Sequence, residues 1–336
     1  MATLNSQFPS LTDVIKLINP NGMAAKVVNV LDQLNEIVDD MVAVECNNGD
    51  GHVVTVENTL PAVAYRMLNG GTTPTFGTHA QFTEATAMLE QRSLVDVKVA
   101  GYRKDPENYR FVQSRMVLEA MIQQTVSTIF YGNALTDPTS FTGLSPRYSS
   151  LSGDTSANII NGGGAAGSQF SIWLINWSDM GLQWLYPDNL EGGTAGIKHT
   201  NLNTFELQNA AGVTNAMMTV HGDKYEWDGG ICLNNYKNVV RICNLDLTDL
   251  QDETNEPNIP QLMNDAYHCL KDRSMGRISW YMNRTARKYF ERQCKQNVAA
   301  GGQLSYDVVD GKRMTSYMGI PVKTVDQLTI AESVIS

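Results

Sequence analysis

The segment from Asp105 to Gly132 constrains the fold of this chain most, because it predicts one long helix that cannot stand alone. Asp105 is a favourable N-cap, Pro106 suits the first helical position, and the helix can continue to Tyr131. At 1.5 Å per residue it would be about 39 Å long. Its apolar residues cover more than one face, so it must be mostly buried beneath a broad surface. These residues are Phe111, Met116, Val117, Leu118, Met121, Ile122, Val126, Ile129 and Phe130.

The strands that could cover this helix lie in one block of the chain, between residues 171 and 247. Too few residues follow Val322 to build a covering sheet there. We therefore expect the block to share a sheet with residues 88–100 and to flank the long helix. A glycine-rich stretch at 162–167 precedes the block and is predicted to be a flexible connector. Four runs rich in aromatic and β-branched residues are predicted strands: 171–177, 181–187, 215–233 and 238–247.

The N-terminal residues predict a helical arm. Residues 10–18 predict a short amphipathic helix, and residues 23–41 predict a second one. Neither can bury its apolar stripe alone, so we expect both to pack on a partner subunit or on the main body. The stripe of the second helix consists of Val27, Leu31, Leu34, Val38 and Met41.

Residues 42–104 predict a long β-hairpin with a loose tip. Residues 42–60 contain two predicted strands around a strong turn signal at 47–51, Asn-Asn-Gly-Asp-Gly. Residues 61–86 are rich in Thr, Gly and Ala and lack apolar periodicity. Alternation returns at 88–102, which is predicted to be the returning strand.

The last third of the chain begins with a predicted linker and two helices. Residues 251–259 are polar and predict a linker, and residues 260–273 predict a helix. Arg277–Met282 predicts a strand that leads directly into a second helix. Asn283 would cap that helix, because its side chain can accept the free N–H groups of the first turn.

The chain ends with a predicted hairpin. Asp310-Gly311 is a favourable hairpin turn, and residues 313–328 predict a strand that ends at Gly319-Ile320-Pro321-Val322. Pro321 has no N–H to donate to a sheet. We therefore expect the strand to end or bulge there, at a sheet edge.

The order of these elements resembles the axial domain of tailed-phage major capsid proteins with the Hong Kong 97 fold. The resemblance rests on the strand, the "MN" cap at Met282-Asn283, the helix, the hairpin and a "GxPV" block before Asp326. The long helix is similar to the spine helix of that family's peripheral domain. The sequences FYGN at 130–133 and FTGL at 141–144 resemble podovirus-type members. In the usual family order, peripheral strands follow the GxPV block, so we expect a rearranged chain order with the same spatial fold.

The resemblance implies an α+β chain with four parts. Residues 1–41 would be an N-terminal arm, and residues 42–104 an extended loop. Residues 105–255 would form the peripheral domain with its spine helix, and residues 256–336 the axial domain.

The function implied by the resemblance is that of a shell protein and not of an enzyme. Subunits would assemble with one another, as hexamers and pentamers, into an icosahedral shell that encloses phage double-stranded DNA without sequence-specific binding. A separate scaffolding protein is expected because helices begin by about Leu11. A portal and a cement or decoration protein are further expected partners. The protein would be made in the host bacterial cytoplasm and reside in the virion, without a membrane.

Covalent joining of subunits is not expected. Some capsids of this family use a lysine–asparagine isopeptide bond with the lysine on the extended loop. Here no lysine occurs between Lys26 and Lys98. Non-covalent lapping or a cement protein would then have to resist the packaged DNA.

Two other classes stay open from the sequence. A bacterial encapsulin compartment shares the fold and would enclose an enzyme cargo in place of DNA. A β-rich carbohydrate-active enzyme would need two carboxylates in one cleft, and the sequence nominates no such pair.

Charge and composition agree with a protein that hides surface against neighbours. Charged residues make up 18% of the chain, below the roughly 25% typical of soluble domains. A surface rich in Asn, Thr, Ser and Gln explains this equally well. The net charge of −10 argues against DNA binding through phosphates. A basic cluster on one predicted helix is interpreted as a solvated face: Arg284, Arg287, Lys288, Arg292 and Lys295.

Cysteine and histidine spacing indicates no metal site. No CxxC pattern is present, and the odd, scattered cysteine count predicts free thiols in a reducing compartment. Cys46 and His221 could in principle form a catalytic cysteine–histidine pair, but no neighbouring residue in the sequence would activate the thiol. The cysteines are Cys46, Cys232, Cys243, Cys269 and Cys294, and the histidines are His52, His79, His199, His221 and His268.

The remaining candidates also favour structural roles, and we predict no catalytic, cofactor-binding or metal-binding residues. The stretch 192–200 resembles a phosphate loop, but Ile197 separates its glycine from Lys198 and no helix signal follows. The acidic pairs Asp39-Asp40 and Asp252-Glu253 are best explained by surface solvation. Core or interface packing is expected for an aromatic group comprising Trp173, Trp177, Trp184, Tyr186 and Trp227.

Overall fold

The computed structural model describes residues 33, 35–49, 51–101, 106–165, 168–188, 195–208, 215–252, 256–296, 304–309 and 312–336. The predicted helix at 10–18, most of the one at 23–41 and the N-cap Asp105 lie outside these residues. The described end of the arm is a 3₁₀ turn, Glu36–Asp40, in place of an α-helix.

Fourteen strands and five α-helices are described. The strands are β1 Ala43–Glu45, β2 Gly51–Thr59, β3 Thr78–Ala85, β4 Ala87–Asp96, β5 Ile159–Asn161, β6 Gln169–Trp177, β7 Leu182–Tyr186, β8 Lys198–Gln208, β9 Met217–Leu233, β10 Val239–Asp246, β11 Arg277–Met282, β12 Leu304–Val309, β13 Lys312–Tyr317 and β14 Ile320–Thr324. The helices are α1 Val97–Gly101, α2 Pro106–Tyr131, α3 Leu144–Arg147, α4 Ile259–Cys269 and α5 Arg284–Gln296.

The long helix α2 has the predicted bounds, but its burial is uneven. Its C-terminal half enters the core through Val126, Ile129 and Phe130, which are fully buried. Phe111 and Met116 are 62% and 53% exposed, so the expectation of a mostly buried helix is wrong for its first half. Apolar periodicity alone does not show where along a helix the covering sheet stops.

Strand β6 shows how the core is divided. All nine of its residues are buried, because the sheet is covered on both faces. Trp173, Ile175 and Trp177 point to the face that packs on α2. The alternating residues, such as Ile172 and Leu174, point to the opposite face and pack with α4 and α5. The body is therefore three layers: helix, sheet, helix.

The main sheet joins distant parts of the chain. Twelve strands belong to it, and its central path runs β12-β13-β14-β11-β6-β7-β9-β4. Ten residues of β4 pair antiparallel with β9, from Ala87–Gly229 to Asp96–Val220. We predicted that one sheet, packed against α2, would contain strands from residues 171–187, 217–247 and 88–100. This prediction is confirmed for the strands that lie in these ranges.

The predicted hairpin has different partners from those expected. The returning strand is β3, which pairs with β2 from Gly51–Ala85 to Thr59–Thr78, and not the strand at 88–102. Strand β1 lies parallel to β7, so the turn at 47–51 joins two different sheets. Residues 97–101 are helical. The loop prediction at 61–86 missed β3, since its alternation is carried by polar residues.

Two further predictions needed correction. The stretch 162–167 is not a free connector where it is described, because the N–H groups of Gly162 and Gly164 donate to Cys243 and Asn244, both at 2.8 Å. Glycine is required because a Cβ on Gly162 would lie 2.6 Å from a methyl of Leu245. The predicted loop that reached Thr200 ends earlier, since β8 begins at Lys198.

The C-terminal elements follow the sequence closely. Strand β11 and helix α5 have the predicted start, and the Asn283 side chain accepts from the N–H of Thr285 at 2.9 Å. The helix predicted at 260–273 ends at Cys269. Strands β12 and β13 form the predicted hairpin, whose turn residues 310–311 lie outside the described part.

Pro321 is not at a sheet edge. It is the second residue of β14, which lies between β13 and β11. The turn before it has positive φ at Met318 and Gly319. Parallel pairing with β11 begins at Val322, opposite Trp280. The missing N–H of Pro321 therefore falls just outside that ladder, which explains why the proline is tolerated.

Candidate assembly surfaces

The hairpin formed by β2 and β3, with its tip at residues 60–77, is the first candidate surface. Strands β2 and β3 form a two-stranded sheet of their own. The tip carries one charged residue, Arg66. Six large apolar side chains of the tip are each at least 81% exposed: Leu60, Val63, Tyr65, Met67, Leu68 and Phe76. Clustered exposed apolar surface of this kind marks an interaction site.

The root of the hairpin is fastened to the body by polar contacts. Arg147 of α3 binds both carboxylate oxygens of Glu84, with Nη2 to Oε2 at 2.7 Å. On the other strand, Asn47 exchanges two hydrogen bonds with Val53, at 2.8 and 2.9 Å. The root of the hairpin is therefore held to the body, while its apolar tip is exposed. This arrangement suits a hairpin that binds another molecule through its tip.

The second candidate region is the described end of the N-terminal arm, Glu36–Asp40. A buried acid anchors it to the body. Asp40 accepts hydrogen bonds from the hydroxyl of Tyr281 and from Lys323 Nζ, the latter at 2.7 Å. Burial, and then the charge of Asp40, raise the pKa of the Tyr281 hydroxyl. Surface solvation was therefore the wrong interpretation of Asp40. Ile37 adds a fully buried apolar contact, so the described end of the arm is fixed to the body.

The C-terminal segment is held by a buried ion pair. Glu332 accepts from Arg241 Nη2 at 2.8 Å, from the Tyr131 hydroxyl at 2.7 Å and from the Ser171 hydroxyl. The Glu332 and Arg241 side chains are 7% and 3% exposed. Burial, together with the Glu332 charge, raises the pKa of Tyr131. These contacts join α2, β6 and β10 to the last residues.

The basic cluster on α5 lines a groove of about 500 Å³. Three of its cations are paired within the chain: Arg284 with Asp326 at 2.6 Å, Arg287 with Glu291 at 3.2 Å and Arg292 with Glu256 at 2.8 Å. This pairing favours a solvated face over a phosphate-binding surface. The side chain of Lys295 is outside the described part.

The enzyme-like candidates are not brought together. Trp173, Trp177, Trp184 and Trp227 pack in the core beside α2. Cys46 packs with Leu185 and Cys232, whereas the His221 imidazole bonds Thr204 at 2.9 Å. Glu253 and residues 192–194 lie outside the described part.

All five cysteines are free thiols. Burial raises the pKa of Cys232 to about 12 and that of Cys243 to about 11. Within the described ranges, no three His, Cys, Asp or Glu side chains converge as a metal site. Among the described helices, none has the length and apolarity needed to span a membrane.

The contact between Glu84 and Arg147 at the hairpin root could not be predicted from the sequence. Glu84 and Arg147 are separated by 63 positions, and no local signal connects them. The apolar tip was visible in the sequence as a run without periodicity, but its exposure was not.

Comparison with known proteins identifies the relatives of this fold. A family model described as "Major capsid protein GP7" matches residues 19–336. The capsid structure of bacteriophage Epsilon15 aligns over 100% of this chain and 99% of its own, with 26% identity and a TM-score of 0.77. No curated protein matches the sequence.

More distant similarities were also found. The bacteriophage JBD30 capsid aligns over 90% of this chain and 93% of its own, at 9% identity and a TM-score of 0.47. The SrpI encapsulin of Synechococcus elongatus PCC 7942 aligns over 67% and 94%, at 11% identity and a TM-score of 0.42. These two alignments are too weak to carry an argument.

Proposed function

The chain belongs to the Major capsid protein GP7 family, and we propose that its copies build their shell by docking the apolar hairpin tip of one subunit on the next. Membership makes it a structural, non-enzymatic component of the virion that assembles with itself into a phage capsid shell with the Hong Kong 97-like fold. The encapsulin and carbohydrate-active enzyme alternatives are therefore set aside.

The observation that carries the proposal is the exposed tip. Six large apolar side chains in residues 60–77 are not covered by any part of the subunit that the structure describes. Burying apolar surface contributes about 25 cal/mol per Å², so a second subunit that covers them gains stability with no change inside either body. Arg66 would then set the register against an acidic or carbonyl-rich neighbour.

The division of labour along the chain belongs to the same proposal. The arm (1–41) and the extended loop (42–104) would lap onto neighbours. The peripheral domain (105–255) and the axial domain (256–336) would form the wall and meet at the symmetry axes of hexamers and pentamers. Strand β6 of the former pairs with β11 of the latter, so force would pass through one continuous sheet.

Other partners are proposed from the capsid function. A scaffolding protein would guide assembly, a portal would occupy one vertex, and a cement protein would bind the outside. The enclosed double-stranded DNA would meet a subunit of net charge −10, which favours smooth packing over tight phosphate binding.

Electron microscopy of variants at the tip tests the docking proposal. The double variant Tyr65→Ser, Leu68→Ser should leave the subunit folded, with an unchanged urea midpoint, but abolish closed shells. Leu135→Ser is the matched control, because Leu135 is 94% exposed but lies outside the hairpin. Normal particles from the double variant would show that the tip is not an assembly surface.

A further inference from the structure

We propose that the Glu84–Arg147 ion pair is the positioning element that fixes the direction of the hairpin relative to the body, and that correct shell closure depends on it. This inference rests on the proposed docking of the hairpin tip. Both side chains are largely shielded, at 12% and 19% exposure. In such surroundings a two-point guanidinium–carboxylate contact defines orientation as well as distance.

The guanidinium is itself fixed by the body. Its Nε donates to the carbonyl of Gly143 at 3.1 Å, and Nη2 also donates to the carbonyl of Thr142 at 3.0 Å. Both carbonyls belong to the segment between α2 and α3. The position of Arg147 is therefore set by the segment before α3, which the Gly143 N–H joins to the carbonyl of Gly132 at 2.8 Å, and Glu84 is held to that segment.

The chain changes partners immediately after Glu84. Strand β3 pairs with β2 and ends at Ala85, whereas β4 begins at Ala87 and pairs with β9. On this strand Thr86 is therefore the single residue between the hairpin and the main sheet, whereas on the other strand the longer connection from β1 to β2 joins them. Gly230 lies beneath Thr86, and a Cβ there would be 2.8 Å from the carbonyl oxygen of Ala85 and 3.2 Å from Thr86 Cα.

Because the hairpin is long, a small rotation at Thr86 would move its tip by a large distance. A nine-residue strand such as β2 is about 30 Å long at 3.3 Å per residue. A rotation of about 10° at Thr86 would therefore move the tip by roughly 5 Å. That displacement is as large as a side chain, so the ion pair decides whether the apolar tip meets its target on the neighbouring subunit.

The other contacts at the root hold less firmly. The Asn47–Val53 hydrogen bonds are neutral and exposed. Val54 is partly buried against Cys46, Leu185 and Cys232, an apolar contact that resists separation but permits sliding. The charged, two-point contact is the one that specifies an angle.

Glu84→Gln removes the charge and keeps the shape. Hydrogen exchange of the full-length chain, measured before assembly, should become at least ten-fold faster at residues 51–54 and 83–87 and stay unchanged in β6 and β10. The same protein should give malformed or open shells by electron microscopy. Arg147→Lys keeps the charge but loses the fork geometry, and it should give the same two results if Glu84→Gln does not fold.

Asp223→Asn is the matched control, because Asp223 accepts an equivalent two-point contact from Arg110 elsewhere on the body. It should leave exchange at the hairpin root and the shells normal. Unchanged exchange at the root in both Glu84→Gln and Arg147→Lys would overturn the inference. So would a loosened root with normal shells, or equal loosening by Asp223→Asn. Failure of docking itself would instead appear as normal shells in the Tyr65→Ser, Leu68→Ser variant, whatever happens at the root.

Discussion

The central strands and the hairpin strands of this subunit both form antiparallel pairs but have opposite surroundings. Every residue of β6 and β10 is buried. Along β3, by contrast, no residue is buried, and in β2 only Gly51 is. Both pairs form antiparallel ladders, each with one register shift. Backbone pairing therefore does not distinguish them, and the difference lies in what covers their faces.

This difference suggests that the central sheet is stable within one subunit, whereas the hairpin gains stability from contact with a partner. An isolated two-stranded hairpin is marginally stable in water, whereas a sheet covered on both faces gains from every side chain. We expect substitutions in the sheet to act on the free energy of unfolding, and substitutions in the hairpin tip to act on assembly.

Trp173→Ala should produce the largest loss of stability. Trp173 is fully buried in β6, its ring packs 5.9 Å from both Phe130 and Tyr148, and Arg241 lies over it at 4.9 Å. Removing a buried aromatic side chain costs about 3–5 kcal/mol. Urea denaturation of unassembled subunits measures this, with Tyr65→Ala in the tip as control. An equal loss for Tyr65→Ala would end the distinction between the two regions.

Glu332→Gln should come next, at about 3 kcal/mol, because it leaves the buried Arg241 without its counter-charge. Arg241 keeps bonds to the Tyr148 carbonyl at 2.8 Å and to Ser171 at 3.0 Å, so the loss should not exceed that of Trp173→Ala. The exposed pair Arg92–Glu90 offers a matched control, Glu90→Gln, which should cost little. Similar unfolding midpoints for the two variants would show that the buried Glu332–Arg241 pair stabilises the body no more than an exposed pair does.

Much of the body could be predicted from the sequence, because local signals and burial agree there. The bounds of α2 follow from Pro106 and Gly132, and the start of α5 follows from Asn283. The aromatic runs predicted β6 and β7 because strands buried on both faces are continuously apolar. Even the sharing of one sheet by β4, β7 and β9 followed from the lack of any other strand-rich block that could cover α2.

The candidate assembly surfaces were less predictable, because their residues obey no local rule. Strand β3 is rich in polar residues on both faces, so alternation does not mark it. Asp40 looks like a surface acid, since its partners Tyr281 and Lys323 are far away in the chain. Phe111 looks like a core residue, because a sequence pattern does not show whether an apolar side chain is buried by its own chain or by a neighbouring subunit.

Alkaline pH should lower the free energy of unfolding of the body, because three thiols and one tyrosine hydroxyl have raised pKa values in the folded state. Burial raises the pKa of Cys243 and Cys294 to about 11 and that of Cys232 and Tyr317 to about 12, from 9.0 for thiols and 10.0 for tyrosine. The folded state keeps these protons longer than the unfolded state. Their contribution is therefore complete below about pH 9 and is lost as the pH rises toward about 12.

The urea midpoint should accordingly fall steadily across that pH range. Cys243→Ala removes one of the four groups, so its midpoint should fall less steeply with pH even though its stability at neutral pH is lower. A midpoint that does not change between pH 9.0 and about 11 would contradict the assignment of the buried thiols.

The smallest effect should come from Phe111→Ala, and it sharpens the comparison within one helix. Phe111 and Ile129 both belong to α2, yet the first is 62% exposed and the second fully buried. Ile129→Ala should cost about 2–5 kcal/mol, whereas Phe111→Ala should change the free energy of unfolding by less than about 0.5 kcal/mol. If the exposed half of α2 is covered only after assembly, Phe111→Ala should instead lower the urea concentration at which assembled shells dissociate. A large loss already in unassembled subunits would mean that the same chain covers Phe111, and the boundary between self-sufficient and partner-dependent structure would then move to the hairpin alone.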